Sequence, residues 1–177
     1  MSVLICAASR HGATREIALA LAEALADEGL RVAVKPPEEV FDLEGYGALV
    51  LGSAVYLGHW LPSAKDLAHR IGGRLEGRAV WLFSSDPVGD PPVPAPDSAV
   101  HVKALMEATG ARGHHLFGGS LARSQLGRVE RVAAAALHVP DADRRDWDEI
   151  AAWAHEIACD LRSASGTETQ RRRFTDV

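Results

Sequence analysis

The fold is decided by residues 3–14, which read Val3-Leu4-Ile5-Cys6-Ala7-Ala8-Ser9-Arg10-His11-Gly12-Ala13-Thr14. The run 3–7 is continuously apolar, which is typical of a short strand covered on both faces. From Thr14 onward the apolar residues follow helical spacing, and this helix is predicted to end at Gly29. A buried strand, a turn of small residues and a helix therefore predict the first unit of an α/β domain.

The same alternation continues along the chain. Buried strands are predicted at 48–51 and 79–83, a weaker strand at 116–117, and an edge strand at 30–35, where the apolar residues alternate with others. Strands separated by helices predict a parallel sheet with right-handed crossovers. The expected architecture is a doubly wound α/β sandwich with a five-stranded parallel sheet in the order 2-1-3-4-5 and helices on both faces.

The length of 177 residues suits one domain. We expect it to span 1–162 and to be followed by a polar, flexible tail at 163–177. An extra helix is predicted at 126–138, outside the regular alternation. The last long helix is predicted to begin at Asp146, with Glu149 three residues later as in a capping box.

Composition and charge narrow the classes of partner. A net charge of −5 and a pI near 5.9 provide no basic surface for nucleic acid. No apolar stretch reaches the length of about 18 residues that an integral membrane segment needs, and no secretory signal is recognisable, so we expect a cytoplasmic protein. Cys6 and Cys159 are predicted to be reduced structural thiols. The sequence leaves the oligomeric state open, a homodimer included.

In a sheet of this order, ligands bind at the carboxyl ends of the strands, where the order reverses between strands one and three. The first loop there contains Ser9, Arg10, His11, Gly12, Ala13 and Thr14. Its backbone N–H groups, hydroxyls and helix N-terminus suit a phosphate. The sequence lacks the glycine fingerprint of a dinucleotide fold, the Gly-Lys-Ser/Thr of a P-loop and the aspartate of a response regulator. A terminal monophosphate is therefore the ligand that this loop fits best.

The second loop concentrates aromatic side chains in a protein that has few of them, and it contains Ser53, Ala54, Val55, Tyr56, Leu57, Gly58, His59 and Trp60. A flat ring system could stack on Tyr56 or Trp60, although Trp60 could instead pack ahead of Pro62. His59 is a candidate catalytic residue that could donate a proton beside such a ring, or it could simply face solvent.

The third loop follows the fourth strand of the predicted sheet and offers small residues and turn geometry. Its candidate ligand-binding residues are Ser84, Ser85, Asp86, Pro87, Val88 and Gly89. Backbone amides there could bond the polar edge of a ring. The histidines elsewhere lack the spacing and the carboxylate partners of a metal site, so no metal is expected.

These loops resemble the flavodoxin family, whose phosphate loop reads Ser/Thr-x-Thr-Gly-x-Thr. Ser9, Gly12 and Thr14 match this pattern, whereas His11 replaces a threonine and Arg15 a common glutamate. A closer similarity, to flavodoxin-domain proteins related to menaquinone-dependent protoporphyrinogen oxidase, is carried by residues 8–14, 52–56, 84–85, 87–90, 117–119 and 145–147.

The resemblance implies a flavodoxin-like fold that binds FMN, with the first loop on the phosphate and the other two loops on the isoalloxazine. It implies an FMN-dependent oxidoreductase that moves electrons between an organic substrate, such as a porphyrinogen, and a quinone or similar acceptor. The sequence departs from the family pattern at Ala8, at Asp86, where relatives often carry glycine, and in a short insert at 126–138. A flavodoxin-type electron carrier without its own substrate, and a scaffold that has lost FMN, stay open as alternatives.

Overall fold

The first strand and helix form as the sequence predicts. The computed structural model describes residues 1–56, 58–75, 77–86, 102–121 and 142–175. Strand β1 (Ser2–Ala8) is buried at every position after Ser2, and helix α1 (Ala13–Asp27) follows it. The helix ends where Glu28 caps it and Gly29 takes a φ of 82°. A positive φ is accessible to glycine without a steric penalty, so the predicted stop at Gly29 is confirmed.

One parallel sheet organises the described residues. Its further strands are β2 (Arg31–Lys35), β3 (Ala48–Tyr56), β4 (His59–Trp60), β5 (Ala79–Asp86) and β6 (Gly113–Gly118). The spatial order is β2-β1-β3-β5-β6, and each neighbouring pair is parallel. The two-residue β4 forms only an antiparallel hairpin with β3. The short β4 was not among the five predicted strands, so β5 and β6 are the fourth and fifth strands of the predicted sheet. The predicted order 2-1-3-4-5 is therefore confirmed.

Helices cover both faces of the sheet. Helix α1 and helix α4 (Trp147–Thr175) pack on one face, and their core side chains include Ile17, Leu21, Trp153 and Ile157. Helix α2 (Pro62–Ile71) and helix α3 (Val102–Thr109) pack on the other face, with Leu67, Ile71 and Leu105. Successive side chains of β1 point to opposite faces of the sheet, so alternate residues belong to the hydrophobic core on one face and the rest to the core on the other. This is expected for a strand that helices cover on both sides. The predicted flavodoxin-like sandwich is therefore the observed fold.

Close packing near the carboxyl ends depends on one glycine of β3. Gly52 lies against the ring of Phe83 on the neighbouring β5, and a Cβ at this position would be 2.1 Å from ring carbons. Any side chain would have to displace Phe83, which is fully buried. Glycine therefore allows β3 and β5 to present their ends side by side, where the second and third loops begin.

The last helix starts at the predicted cap and continues beyond the predicted domain end. Asp146 Oδ1 accepts hydrogen bonds from the backbone N–H groups of Asp148 (3.0 Å) and Glu149 (3.1 Å). This N-cap is confirmed. The helix then runs through Thr175, so the polar segment from residue 163 is helical as far as that residue. The division into a domain at 1–162 and a tail at 163–177 stays a prediction.

A short antiparallel pair precedes the last helix and consists of β7 (Ser120–Leu121) and β8 (Ala142–Asp143). The predicted helix at 126–138 falls between these two strands and lies outside the described residues. Among the helices that the structure describes, none is long and apolar enough to cross a membrane.

Candidate functional site

The loop between β1 and α1, residues 9–14, forms a cradle at the carboxyl edge of the sheet; we call it the phosphate loop. Gly12 has a φ of 92°, and its N–H donates to Ser9 Oγ at 3.0 Å. Gly12 is also the N-cap of α1, and among the described residues no side chain caps this helix. The first-turn N–H groups, beginning at Ala13, can therefore bind an external acceptor.

Thr14 lies in the first turn of α1 and is only 1% exposed. Its hydroxyl adds a polar group next to the uncapped N–H groups at the start of α1. Groups of this kind suit a phosphate monoester.

The first two predicted loops meet at Tyr56, the last residue of β3. The Arg10 guanidinium carbon lies 5.5 Å from the centroid of the Tyr56 ring, a cation–π distance. The His11 ring approaches the same ring edge-on, with a centroid separation of 6.4 Å. Tyr56 is only partly buried, so an aromatic face stands directly beside the phosphate loop.

Residues 53–55 of the second loop are buried. Ser53 is fully buried, donates to the carbonyl of Ala54 at 2.8 Å and accepts from the N–H of Leu61 at 2.9 Å. Ala54 and Val55 are also buried. Gly58 turns the chain with a φ of 77°, and His59 is exposed in β4, so its imidazole is accessible at this edge. Leu57 lies outside the described residues.

Trp60 is part of the core rather than a stacking surface. It is 3% exposed, and its indole N–H donates to Ser84 Oγ at 2.8 Å. A ligand ring could not reach a side chain that is enclosed and hydrogen-bonded in this way. The stacking interpretation of Trp60 is therefore wrong, and its packing interpretation is correct.

The third loop begins at the end of β5, level with the second loop. In the sheet register, Ser84 is opposite Ser53, Ser85 is opposite Ala54 and Asp86 is opposite Gly118. The Ser84 hydroxyl also shares a hydrogen bond of 2.9 Å with His114 Nε2. It is therefore used inside the protein, so any contact from Ser84 to a ligand would come from its backbone. Pro87, Val88 and Gly89 lie outside the described residues.

A cavity of about 470 Å³ opens between the phosphate loop, the end of β2 and the start of α2. Its lining includes Ser9, Arg10, Arg15, Glu38, Leu61 and Ser63. Two guanidinium groups and one carboxylate lie at its wall, so positive charge is in excess there and favours an anionic guest. The cavity therefore extends the polar surroundings of the phosphate loop.

Sequence reasoning missed the contribution of Arg145. Its guanidinium donates to Glu16 in the first turn of α1 and to both carboxylate oxygens of Asp143, at 2.8 Å and 2.5 Å. The hydrogen bonds from Arg145 lower the pKa of Asp143, and those to Asp143 and Glu16 raise the pKa of Arg145. The guanidinium carbon also lies 4.7 Å from the Trp147 ring centroid. The 145–147 segment carries part of the family resemblance, but no local pattern identifies its partner 129 residues away.

Metal binding finds no support in the described residues, where no three His, Cys, Asp or Glu side chains cluster as ligands. His114 bonds to Ser84, and His115 Nε2 lies 3.1 Å from Glu149 Oε1. The two adjacent histidines therefore contact different partners and do not converge on one point.

Comparisons with known proteins agree with this geometry. Three solved structures share the fold with high probability at low sequence identity. A flavodoxin of Streptococcus pneumoniae TIGR4 is 19% identical with a TM-score of 0.61, covering 90% of this chain and 99% of that one. A cysteine-to-serine mutant of flavodoxin from Pseudomonas aeruginosa is 17% identical with a TM-score of 0.57, covering 92% and 99%.

The third structure is the rubredoxin oxygen:oxidoreductase of Desulfovibrio gigas, which is 17% identical with a TM-score of 0.63. The alignment covers 92% of this chain but only 36% of that one, so the chain spans about a third of that protein's length. A search of curated protein sequences found no match.

A family comparison settles the classification. Residues 4–146 match the family described as the flavodoxin domain, and this stretch includes the phosphate loop and the parallel strands from Leu4 onward. Flavodoxins are FMN-binding proteins of electron transfer, and the uncapped start of α1 suits the phosphate of that cofactor. The chain belongs to the flavodoxin-domain family.

Proposed function

We propose that the chain binds FMN non-covalently at the carboxyl edge of its sheet and acts as an oxidoreductase. In this proposal it moves electrons between an organic substrate, such as a porphyrinogen, and a quinone or similar acceptor. Bound FMN would supply the electron transfer itself, while the protein supplies binding, orientation and electrostatics.

One observation carries the proposal: α1 begins without a side-chain cap, directly behind a glycine with positive φ. The uncapped N–H groups at this partly exposed helix start are free to bind an acceptor, and a terminal phosphate would provide one. Arg10 and the cavity beside it add positive charge. These groups would hold the phosphate end of FMN.

The ring end of FMN would lie toward Tyr56 and the ends of β3 and β5. Tyr56 is a partly exposed aromatic residue next to the phosphate loop, and Arg10 and His11 contact its ring. The backbone of the second and third loops would bond the polar edge of the flavin ring, because the hydroxyls of Ser53 and Ser84 are already engaged within the protein. The second and third loops would thus surround the isoalloxazine.

His59 is the candidate for proton transfer. It is exposed in the turn that follows Tyr56, and Tyr56 and His59 are opposite each other in the β3–β4 hairpin. An imidazole can both donate and accept a proton, as a general acid or base must. His59 would act on a substrate or acceptor that approaches the ring.

Turnover separates an oxidoreductase from a carrier. The FMN-loaded chain is mixed with a porphyrinogen and a water-soluble quinone in the absence of oxygen, and porphyrin fluorescence is followed. We expect many porphyrin molecules per chain, with His59→Asn lowering the rate and leaving the FMN content unchanged. The oxidation of a porphyrinogen to a porphyrin removes six electrons, and one FMN accepts two, so product that stops at or below about a third of an equivalent per chain would instead indicate an electron carrier. A chain that takes up no FMN would indicate a scaffold.

A further inference from the structure

A second group of reactive side chains lies far from the phosphate loop. Cys159, His155 and Arg162 are on α4, and Glu28 caps the far end of α1; we call these four residues the thiol cluster. Helix α1 has 15 residues, begins within the phosphate loop at Ala13 and ends next to Glu28. At about 1.5 Å per residue, the two sites are separated by roughly 20 Å.

The sulfur of Cys159 contacts two nitrogen groups. Its Sγ lies 3.5 Å from His155 Nε2 and accepts a hydrogen bond from Arg162 Nη2 at 3.2 Å. These contacts follow from helical spacing, because His155 is four residues before Cys159 and Arg162 is three residues after it. Both nitrogen groups would stabilise a negative charge on the sulfur.

Glu28 holds both partners of the sulfur from the neighbouring helix. One carboxylate oxygen lies 2.6 Å from His155 Nδ1, and the other accepts from Arg162 Nη1 at 2.8 Å. These hydrogen bonds, first the one from His155 and then the one from Arg162, lower the pKa of Glu28. With Nδ1 donating to the carboxylate, Nε2 faces the thiol as an acceptor for its proton.

The second cysteine of the chain provides a contrast. Cys6 is fully buried in β1, and burial raises the pKa of its thiol to about 12. Such a thiol is protonated at neutral pH and closed to reagents. Cys159 is exposed and surrounded by an imidazole, a guanidinium and a carboxylate, so the two thiols have opposite environments.

We propose that Cys159 is a modification site, a nucleophilic thiol that exchanges with low-molecular-weight disulfides. His155 accepts the thiol proton, and the Cys159 sulfur attacks one sulfur of the disulfide. A mixed disulfide forms on Cys159, the original disulfide bond breaks, and the departing thiolate takes the proton from His155. The exchange needs no external oxidant, because the disulfide is itself reduced to one free thiol.

Oxidised glutathione is the probe for this proposal. The full-length chain is incubated with it at pH 7, and mass spectrometry follows the added mass and its position over time. We expect one glutathione per chain, on Cys159 and not on Cys6. The rate should exceed that of the same cysteine in the chain unfolded by guanidinium by at least about tenfold.

Matched variants test whether the cluster causes the reactivity. His155→Asn and Glu28→Gln should each slow the exchange by about fivefold or more, because they remove the proton acceptor or its orientation. Arg112→Gln removes a different exposed ion pair, to Asp160, and should leave the rate unchanged. Circular dichroism checks that each variant is folded.

Two results would overturn the proposal. One is a Cys159 rate in the folded chain that equals its rate in the unfolded chain. The other is a fast rate that folded His155→Asn and Glu28→Gln leave unaltered, because exposure alone would then explain it. Neither result bears on FMN binding, which is measured separately.

Discussion

Arg145, which precedes α4, donates a hydrogen bond to Glu16 in the first turn of α1 and so neutralises a carboxylate one turn from the phosphate loop. Its side chain is only 10% exposed, and Asp143 fixes it from the other side. An unpaired Glu16 would repel a phosphate at the same helix start.

We therefore expect Arg145→Gln to weaken FMN binding by on the order of 1 kcal/mol, or about fivefold, since the exposed half of Glu16 is screened by water. Riboflavin, which has no phosphate, should bind with unchanged affinity. The double variant Glu16→Gln/Arg145→Gln should recover FMN binding, because the repelling charge is gone. Calorimetric titration measures all three affinities. A double variant as weak as Arg145→Gln alone would show that Arg145 acts through structure and not through charge.

The phosphate loop itself is tested by two substitutions. Thr14→Val should weaken FMN by roughly 1.5 to 3 kcal/mol, the range for a hydrogen bond to a charged group. Gly12→Val should weaken it further, because a β-branched residue is strained at a φ of 92° and the loop would lose its shape.

Thr109→Val is the matched control, since Thr109 is a buried helix threonine on the opposite side of the sheet. Its hydroxyl bonds only the carbonyl of Leu105 among the described residues. FMN titration of the three folded variants is the measurement. Unaltered affinity in both Thr14→Val and Gly12→Val would remove this loop from the site.

Asp86 ends β5 at the edge where the flavin ring is proposed to lie. Reduced flavin gains negative charge, so a carboxylate at about 6 Å would oppose reduction by up to about 3 kcal/mol, or about 60 mV for a two-electron couple. We expect Asp86→Asn to raise the midpoint potential by tens of millivolts. Redox titration of both proteins in one buffer measures the shift. A change below about 10 mV, or a decrease, would place the carboxylate away from the ring.

Trp60 is expected to matter for stability and not for the cofactor. Trp60→Phe removes the indole donor to Ser84 and part of a buried ring, so the free energy of unfolding should fall by about 1 to 3 kcal/mol. Urea unfolding of the apoprotein measures this loss. FMN affinity should stay within a factor of two of the original value. A large loss of affinity with unchanged stability would contradict the core assignment of Trp60.

The fold was largely predictable because its signals are local. Continuous apolar runs identified β1, β3 and β5, alternation identified the edge strand β2, and a positive-φ glycine marked the end of α1. Strands alternating with helices predicted a parallel sheet, the edge-like second strand favoured the order 2-1-3-4-5, and that order is observed.

The site was only partly predictable because its side chains are fixed by distant partners. Trp60 is buried, and its indole N–H donates to Ser84, 24 residues later in the sequence. Nothing in the sequence of its own loop predicts this partner. Arg145 and Glu16 are 129 residues apart, and Glu28 at the end of α1 is 127 residues from its partner His155 on α4. Spacing rules describe one element at a time and do not reach such pairs.

Titration of the purified apoprotein with FMN and with riboflavin tests whether the chain binds FMN through its phosphate. We expect saturable binding of one FMN per chain and weaker binding of riboflavin by at least about tenfold, because the uncapped start of α1 and the phosphate loop would bind the phosphate. Equal affinity for the two flavins, or no binding of either, would contradict it.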